Sequence, residues 1–255
     1  MNKMMCTSVI AFIMLFLLSC EEAAIVCDDA VRVCRVEVPS FTTIPNTSFD
    51  DWKYRTVGDY YVPEPTSFWV TPNEALDLFE GGAVVERVSG DEAYNPEGFA
   101  AKLTTRAVKE PLSDLLPIAG GALSIGAFTT ELNDPNSSLK FGKPFNKRIK
   151  KVSGYYRYVS VDGDSCGIYA FTRKCRQKTN ECDEIYTELD TISWARFTSN
   201  AIMEEYARFE LNLEYFTTET PDQVVIYFAS SDDADDANGA VGSTLYIDEV
   251  TIEYE

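Results

Sequence analysis

Residues 206–215 read YARFELNLEY, and the alternation in this stretch decides the fold class. Every second residue from Ala207 to Tyr215 is apolar, whereas the residues between them are charged or amide side chains. Successive side chains of an extended strand point to opposite faces, so the apolar set shares one face. This pattern is typical of an antiparallel strand that is buried on one side and solvated on the other.

The same two-residue period recurs along most of the chain from Ser48 onward, between turn signals. Nine or ten strands are expected at this spacing, and no convincing helix is longer than residues 73–80. The sequence therefore predicts an all-β protein built as a β-sandwich. Residues 224–228 are apolar on both sides, which places them in the middle of the sandwich. The other clear candidate strands are Lys102–Val108, Leu123–Phe128, Val152–Val161, Ile168–Arg173, Glu184–Leu189 and Leu245–Tyr254.

The last candidate strand contains a phase break. Leu245 and Ile247 are in register with each other, but Val250 and Ile252 fall in the opposite register. One extra residue near Asp248-Glu249 would restore the pattern, which is what a β-bulge provides. The alternative is that the strand changes the sheet face that it covers.

The N-terminal residues indicate export. Residues 9–18 (VIAFIMLFLL) form an apolar run that is too short to span a bilayer but fits a signal peptide. LLSC at 17–20 resembles the lipobox of bacterial lipoproteins, and the resemblance implies cleavage before Cys20 and lipidation of its thiol. The alternative is an ordinary signal peptide followed by an unrelated cysteine. The acidic pair at 21–22 resembles the export signal of Bacteroidetes surface lipoproteins.

These features predict three segments: a lipoprotein signal peptide over 1–19, a lipidated tether and leader over 20–47, and one domain over 48–255. The leader alternates enough between Val31 and Val38 for one short strand. The expected location is the outer membrane, at the cell surface, through the lipid on Cys20.

The charge and the missing residue types exclude several functions. The chain has 22 Lys+Arg against 41 Asp+Glu, a net charge of −19, which repels nucleic acid phosphates and anionic lipid headgroups. Histidine is absent, and this excludes Ser-His-Asp and Cys-His catalysis as well as histidine metal sites. Any catalysis would have to use carboxylates, tyrosines or lysines.

After cleavage before Cys20, the mature chain would keep five of the seven cysteines besides the lipidated one. Outside the cytoplasm these cysteines are expected to form disulfides. The sequence contains no C-x-x-C pair, which argues against a zinc site or a thioredoxin-like redox site. The favoured pairs are Cys27–Cys34 and Cys175–Cys182, which leaves Cys166 free, although the sequence leaves other connectivities open.

Three blocks of sequence carry a family resemblance: FDDW (49–52) with Tyr61-x-Pro63 and FWVTPN (68–73), then GFAAKL (98–103), then GAVGSTLYIDEV (239–250). Together they resemble the PCMD family, the "putative carbohydrate metabolism domain" of Bacteroidetes lipoproteins, over roughly residues 48–255. The resemblance implies a jelly-roll β-sandwich similar to carbohydrate-binding modules, and a role in glycan use.

Candidate binding residues follow from the chemistry of sugars. Sugar rings present flat apolar faces, so a binding site needs exposed aromatic rings beside amides or carboxylates. Pro72 restricts its neighbour to an extended geometry and denies a ladder hydrogen bond, so the chain should leave the sheet there. This places Trp69 at a loop rim with the amide of Asn73 close behind it. The predicted ligand-binding residues are Trp69, Asn73, Tyr61 and Trp52, with core packing as the alternative for each ring.

A second aromatic cluster lies on a candidate strand. Tyr156 and Tyr158 share one face of that strand, and Tyr155 lies opposite. Packing against a neighbouring strand is the favoured interpretation, and a glycan-binding face is the alternative.

Acidic residues raise the question of calcium. The acidic run 232–236 does not fit the EF-hand template and is better read as a solvated loop. In many carbohydrate-binding jelly rolls the terminal strand and an early acidic residue share a structural calcium. The resemblance implies such a site at Asp248 with Asp50 or Asp51, and the pair Asp248 and Asp51 is the metal site predicted here.

The predicted function is a surface-exposed outer-membrane lipoprotein that binds poly- or oligosaccharides in polysaccharide utilisation, beside other surface glycan-uptake proteins. Two alternatives remain open. One is a glycoside hydrolase, which needs two carboxylates at a defined separation, and no acid here carries a catalytic motif. The other is a non-catalytic scaffold subunit of a surface uptake complex. Binding is favoured over hydrolysis.

Overall fold

Strands dominate the computed structural model, which describes residues 24–28, 33–37, 41–77, 82–109, 117–129, 138–179, 185–232 and 239–255. The predictions for the signal peptide, Cys20, Cys182 and residues 233–236 lie outside these ranges.

Nineteen strands are described, many of them short. In chain order they are β1 (Ala24–Asp28), β2 (Val33–Glu37), β3 (Trp52–Arg55), β4 (Tyr60–Pro63), β5 (Trp69–Val70), β6 (Val85–Ser89), β7 (Phe99–Thr104), β8 (Arg106–Ala107), β9 (Ile118–Ala119), β10 (Ala122–Phe128), β11 (Leu139–Phe141), β12 (Lys143–Pro144), β13 (Ile149–Val159), β14 (Cys166–Thr179), β15 (Ile185–Ser199), β16 (Ala207–Asn212), β17 (Glu214–Tyr215), β18 (Gln223–Ala229) and β19 (Thr244–Tyr254). Helix α1 covers Asn73–Asp77, and a 3-10 helix covers Gly90–Glu92.

Two antiparallel sheets form a jelly-roll β-sandwich, as the sequence predicts. The larger sheet has the order β11-β10-β18-β14-β15-β17, with β5 paired to β10 and β12 paired to β18. The smaller sheet has the order β16-β13-β19-β7-β6. Three two-stranded units, β1–β2, β3–β4 and β8–β9, accompany the sandwich.

The core lies between the inner faces of the two sheets. Strand β18 is buried on both faces and lies between β10 and β14, which confirms the mid-sandwich position expected for 224–228. From the smaller sheet, Phe209 of β16 approaches Phe228 of β18 at a ring-centroid distance of 6.5 Å. Tyr158 reaches across the sandwich, and its hydroxyl donates to the carbonyl of Ser230.

The stretch 206–215 behaves as its alternation predicts, with one addition. Phe209, Leu211 and Leu213 are buried, whereas Glu210 and Asn212 are exposed. The stretch is divided between the two sheets, because β16 pairs with β13 in the smaller sheet and β17 pairs with β15 in the larger one. The alternation determines which side chains face the core, and the apolar side chains keep facing the core where the chain passes from one sheet to the other.

The phase break in the last strand is a β-bulge, as predicted. Along the β13–β19 ladder, Ser153 pairs with Thr251, but Tyr155 pairs with Asp248, so one extra residue is accommodated in β19. Glu249 has a φ of 49°, in the left-handed region that bulge residues use. Leu245, Ile247 and Val250 are therefore all buried in the core.

The leader forms two strands rather than the single strand expected. In the β1–β2 ladder Cys27 lies directly opposite Cys34, a placement compatible with the Cα separation of a disulfide. The pair stays a prediction. Cys166 is buried and forms no disulfide within the described ranges, and burial raises the pKa of its thiol to about 12. No described helix is both long enough and apolar enough to cross a bilayer.

Candidate functional site

Trp69 is a core residue, and its predicted place at an exposed loop rim is wrong. Its side chain is 1% exposed, and its ring lies 5.2 Å from that of Phe49. Its indole N–H donates to the carbonyl of Pro45 at 2.8 Å. Strand β5 does end at Val70, as Pro72 requires, but Trp69 pairs with Ile125 of β10 and shares its inward face. The point at which the chain leaves the sheet therefore does not determine whether the Trp69 ring faces the core or the solvent.

Asn73 is also buried, so its predicted contact with a sugar is wrong. It is 0% exposed, and its side-chain carbonyl accepts hydrogen bonds from the backbone N–H groups of Val84 and Val85. Its amide nitrogen donates to the carbonyl of Val85 at 2.7 Å. The side chain ties the start of α1 to β6.

Trp52 and Tyr61 lie on the β3–β4 hairpin, away from the interior site of Trp69. Their register places them on one face of that hairpin, where Tyr61 is directly opposite Tyr54. The Trp52 indole N–H donates to the carbonyl of Phe49, and its half-buried ring packs on the core. The Arg87 guanidinium lies 3.8 Å from the Tyr61 ring centroid and covers that face of the tyrosine ring. Sugar binding at Trp52 and Tyr61 stays a prediction.

The bulge in β19 aims Asp248 at a loop. Asp248 is 1% exposed, and one of its carboxylate oxygens accepts from the N–H groups of Tyr94 and Asn95, both at 3.0 Å. The other oxygen accepts from the N–H of Glu249. Burial raises the pKa of this carboxyl to about 6.

Asp51 is exposed, and its hydrogen bonds to Asn46 are made by its backbone. The neighbouring Asp50 accepts from the N–H of Phe99 at 2.9 Å. Across the described ranges, no three acidic or cysteine side chains are grouped as a metal site. Calcium at Asp248 and Asp51 stays a prediction.

The outer face of the larger sheet carries an aromatic surface that the sequence interpretation missed. The ladder pairs Tyr169 with Tyr227 and Arg196, and one row further it pairs Phe171 with Val225 and Trp194. The residues between them face the core. We call the rings on this outer face the aromatic platform, which consists of Phe141, Tyr169, Phe171, Trp194 and Tyr227.

The platform is a continuous row of rings from four strands: β11 and the neighbouring strands β18, β14 and β15. From Phe141 the ring centroids follow at 5.2 Å to Tyr227 and at 5.7 Å to Tyr169. They continue at 5.8 Å to Trp194, which stacks on Phe171 at 5.1 Å. Trp194 is 40% exposed, so its indole is open to a partner from solvent. A row of touching rings with an open indole is an arrangement on which the flat face of a sugar packs.

Charged groups frame the platform. The carboxylate of Asp232 accepts from the Tyr169 hydroxyl and pairs with the guanidinium of Arg196. Gly167 leaves room for this contact, since a Cβ there would lie 2.4 Å from an Asp232 oxygen and 2.6 Å from the Tyr169 ring. At the other end, the Arg173 guanidinium lies 4.8 Å from the Phe171 ring centroid. These groups offer donors and an acceptor to sugar hydroxyls.

One sequence signal for the platform was available. In CGIYAFTR (166–173) the inward set is apolar, and the outward set is aromatic where a solvated face would be polar. The segment SWAR (193–196) places Trp194 and Arg196 on a shared face in the same way. An aromatic set on the outer face of a half-buried strand indicates a binding surface.

The smaller sheet has a tyrosine cluster on its own outer face. Tyr156 and Tyr158 point into the core, as the favoured interpretation predicted, and the binding alternative for them is wrong. Tyr155 lies opposite and stacks on Tyr94 with centroids 3.6 Å apart and an interplanar angle of 11°. We call Tyr94, Tyr155, Tyr206 and Tyr246, together with Arg157, the tyrosine cluster.

Comparison with known proteins gives a family and a fold. Residues 48–253 match the model of the family described as "Putative carbohydrate metabolism domain". No curated protein sequence matches the chain.

Two solved structures resemble the chain over most of its length. A "putative glycoside hydrolase" from Bacteroides thetaiotaomicron is 25% identical, with a TM-score of 0.68, over 85% of this chain and 72% of that one. A "putative glycoside hydrolase" from Bacteroides vulgatus is 26% identical, with a TM-score of 0.65, over 82% of this chain and 97% of that one.

Proposed function

Because the chain belongs to the "Putative carbohydrate metabolism domain" family, and its function is therefore carbohydrate-related, we propose that it binds a poly- or oligosaccharide on the aromatic platform. The observation that carries this proposal is the exposed indole of Trp194 within a row of touching rings. Burial of a sugar's C–H face against an aromatic ring removes apolar surface of both from water.

The shape of the platform favours an extended ligand. Neighbouring strands lie about 4.8 Å apart, so a row that crosses several strands is longer than one sugar ring. Hydroxyl groups at the ligand's edge would meet Asp232 and Arg196, and each of these side chains already has a partner that holds it in place. Preorganised polar groups bind with less loss of side-chain entropy.

Hydrolysis is the second candidate, because the two solved structures reported above are named as putative glycoside hydrolases. A hydrolase needs a second carboxylate at about 5.5 Å, or at 6.5–9.5 Å, from the first. The carboxylate on the platform, that of Asp232, is bound by the Arg196 guanidinium and the Tyr169 hydroxyl, contacts that fix the platform's edge. Binding is therefore the better supported function.

The location proposed is the outer membrane, at the cell surface, in a polysaccharide-utilisation system. It rests on the lipobox at Cys20 and on the tether that would separate the lipid from the domain. Replacement of Cys20 by Ser should release the protein from membranes, and protease treatment of intact cells should digest the wild type. Persistent membrane association of the Ser variant would contradict lipidation.

The binding proposal is tested with a glycan array followed by titration calorimetry on each hit. Trp194→Ala should weaken binding by about 5–30-fold, the equivalent of about 1–2 kcal/mol of stacking. Tyr94→Ala is a matched control, since Tyr94 is 41% exposed on the opposite sheet, close to the 40% of Trp194. Equal losses in both variants would contradict the platform, and binding lost only in Tyr94→Ala would move the site to the tyrosine cluster.

Reducing-sugar release from the array hits separates the remaining alternatives. A binding protein leaves the glycan intact, whereas a hydrolase releases new reducing ends. Absence of glycan binding at millimolar concentrations, together with capture of a surface uptake protein, would favour the scaffold alternative and reject our proposal.

A further inference from the structure

Arg173 occupies the end of the platform in an unusual setting. It follows Phe171 by two residues on β14, so both side chains share the outer face of the larger sheet. Its guanidinium lies 4.8 Å from the Phe171 ring centroid, and Phe171 in turn stacks on Trp194 at 5.1 Å. Indole, phenyl ring and guanidinium therefore follow one another along one line of contact.

No acidic partner is present for this arginine within the described ranges. The neighbouring cations are paired: Lys174 with Asp222 at 2.8 Å, and Arg176 with Asp190 and Glu219. The chain has 41 Asp+Glu against 22 Lys+Arg, so carboxylates outnumber the cations that they can pair with. An arginine without a carboxylate partner among the described residues is therefore unexpected. Burial lowers the pKa of Arg173 below its ordinary value, because the charge is partly removed from water.

A second unsatisfied group lies across the ladder from Arg173. Gln223 is its Cα partner on β18, and in an antiparallel pair the two side chains share a face. Gln223 is 1% exposed, and neither its amide nitrogen nor its amide oxygen has a hydrogen-bond partner. Gly142, at a φ of 102°, allows this packing, since a Cβ there would lie 2.3 Å from the Gln223 amide carbon. Buried polar groups without partners are rare in native proteins and call for an explanation.

We propose that the platform binds an acidic glycan, and that Arg173 receives the carboxylate of a uronic acid residue; the buried Gln223 amide across the ladder accepts no hydrogen bond from Arg173, so it does not compete for the guanidinium. This inference rests on the proposed function. The planar guanidinium fork matches a carboxylate in two parallel hydrogen bonds, which a neutral hydroxyl does not reproduce. The sugar ring that carries the carboxylate packs on the exposed indole of Trp194, so ring stacking and charge pairing act on the same residue of the glycan.

The assignment distinguishes the two ends of the platform. At the Tyr169 end, Arg196 is already neutralised by Asp232, which suits neutral hydroxyl groups. At the Phe171 end, the positive charge of Arg173 is not balanced by a described carboxylate. A glycan with uronic acid residues therefore has a defined orientation, with one acidic residue at the Arg173 end.

The test measures paired ligands by calorimetry. Uronate oligosaccharides (oligogalacturonate, oligoglucuronate and oligomannuronate) are titrated beside their carboxyl-reduced forms, which keep the rings and lose the charge. At least one uronate oligomer should bind the wild type about tenfold or more tightly than its reduced form. Arg173→Gln should remove this preference, because it should weaken the acidic form much more than the reduced form, whereas Trp194→Ala should weaken both.

Arg157→Gln is the matched control. Arg157 lies 4.1 Å from the Tyr246 ring centroid on the opposite sheet, and its Nε is likewise buried without a partner. The Arg157→Gln variant should keep the wild-type preference for the uronate oligosaccharide over its carboxyl-reduced form. Arg173→Lys keeps the charge without the fork, so it should lose part of the preference, and it serves if the Gln variant does not fold.

The outcomes separate the two proposals. Equal, Trp194-dependent binding of acidic and reduced oligosaccharides overturns the acidic-ligand inference and leaves the proposed function intact. A preference for the acid that survives in Arg173→Gln overturns the assignment of Arg173. Failure of every oligosaccharide in both forms, and of the neutral array, overturns both proposals.

Discussion

Replacement of Trp69 by Ala is the sharpest test of the corrected site, because it separates a core ring from a binding ring. Trp69 is 1% exposed and packs between Phe49, Phe68 and Phe228. A large buried aromatic side chain removes about 150–250 Å² from water, and its truncation to alanine costs about 3–5 kcal/mol. Loss of the indole hydrogen bond to Pro45 adds about 1 kcal/mol at most.

The expected loss for Trp69→Ala is therefore about 4 kcal/mol, a large part of the 5–15 kcal/mol that holds a typical domain together. With an m-value of about 2–3 kcal/mol/M in urea, the unfolding midpoint should fall by about 1.3–2 M. The assay is equilibrium unfolding in urea, followed by circular dichroism and tryptophan fluorescence. Trp194→Ala is the control and should move the midpoint little, since its indole is 40% exposed. A loss under about 1 kcal/mol for Trp69→Ala, together with lost glycan binding, would refute the core assignment.

Three further changes test other parts of the structure. The pKa of Asp248 is about 6 in the folded protein, above its ordinary value, so the folded state holds this proton more tightly than the unfolded state. The free energy of unfolding should therefore fall as the pH rises from about 4 to 6. In urea unfolding, Asp248→Asn should flatten that fall, and an unchanged pH profile would contradict the assignment to Asp248. Gly167→Ala should weaken glycan binding in calorimetry, because its Cβ would displace Asp232 and the Tyr169 ring, and full affinity would count against a role for that contact. Asn73→Ala should lower the free energy of unfolding by about 2–4 kcal/mol, because two buried N–H groups lose their acceptor, and it should leave the affinity of the folded protein for glycan unchanged.

The two outer faces of the sandwich differ in how their aromatic rings are used. In the tyrosine cluster, the hydroxyls of Tyr206 and Tyr246 bond to Glu92, and the Arg157 guanidinium lies near both rings. These contacts tie the segment around Glu92 to the smaller sheet. On the platform, five rings form one continuous row that runs on to the Arg173 guanidinium. This contrast is why the platform is the preferred site.

The sequence determined the fold class and several local details by itself. Strict alternation in 206–215 fixed which residues are buried, and the phase break at Asp248-Glu249 fixed the position of a bulge. The same parity placed Tyr156 and Tyr158 on one face and Tyr155 on the other. Side-chain direction along a strand is a local property with a period of two residues, so it can be read without knowledge of the partner strands.

Only the tertiary structure decided which face of each strand meets the core and which rings meet each other. Trp69 lies inward because its strand pairs with β10 opposite Ile125, and nothing near Pro72 encodes that pairing. The ladder between β14 and β18, two strands that are far apart in the chain, places Tyr227 beside Tyr169 in the platform. Register between distant strands is set by the packing of the whole sandwich, so a binding surface made of rings from several strands exists only once the sheet has formed.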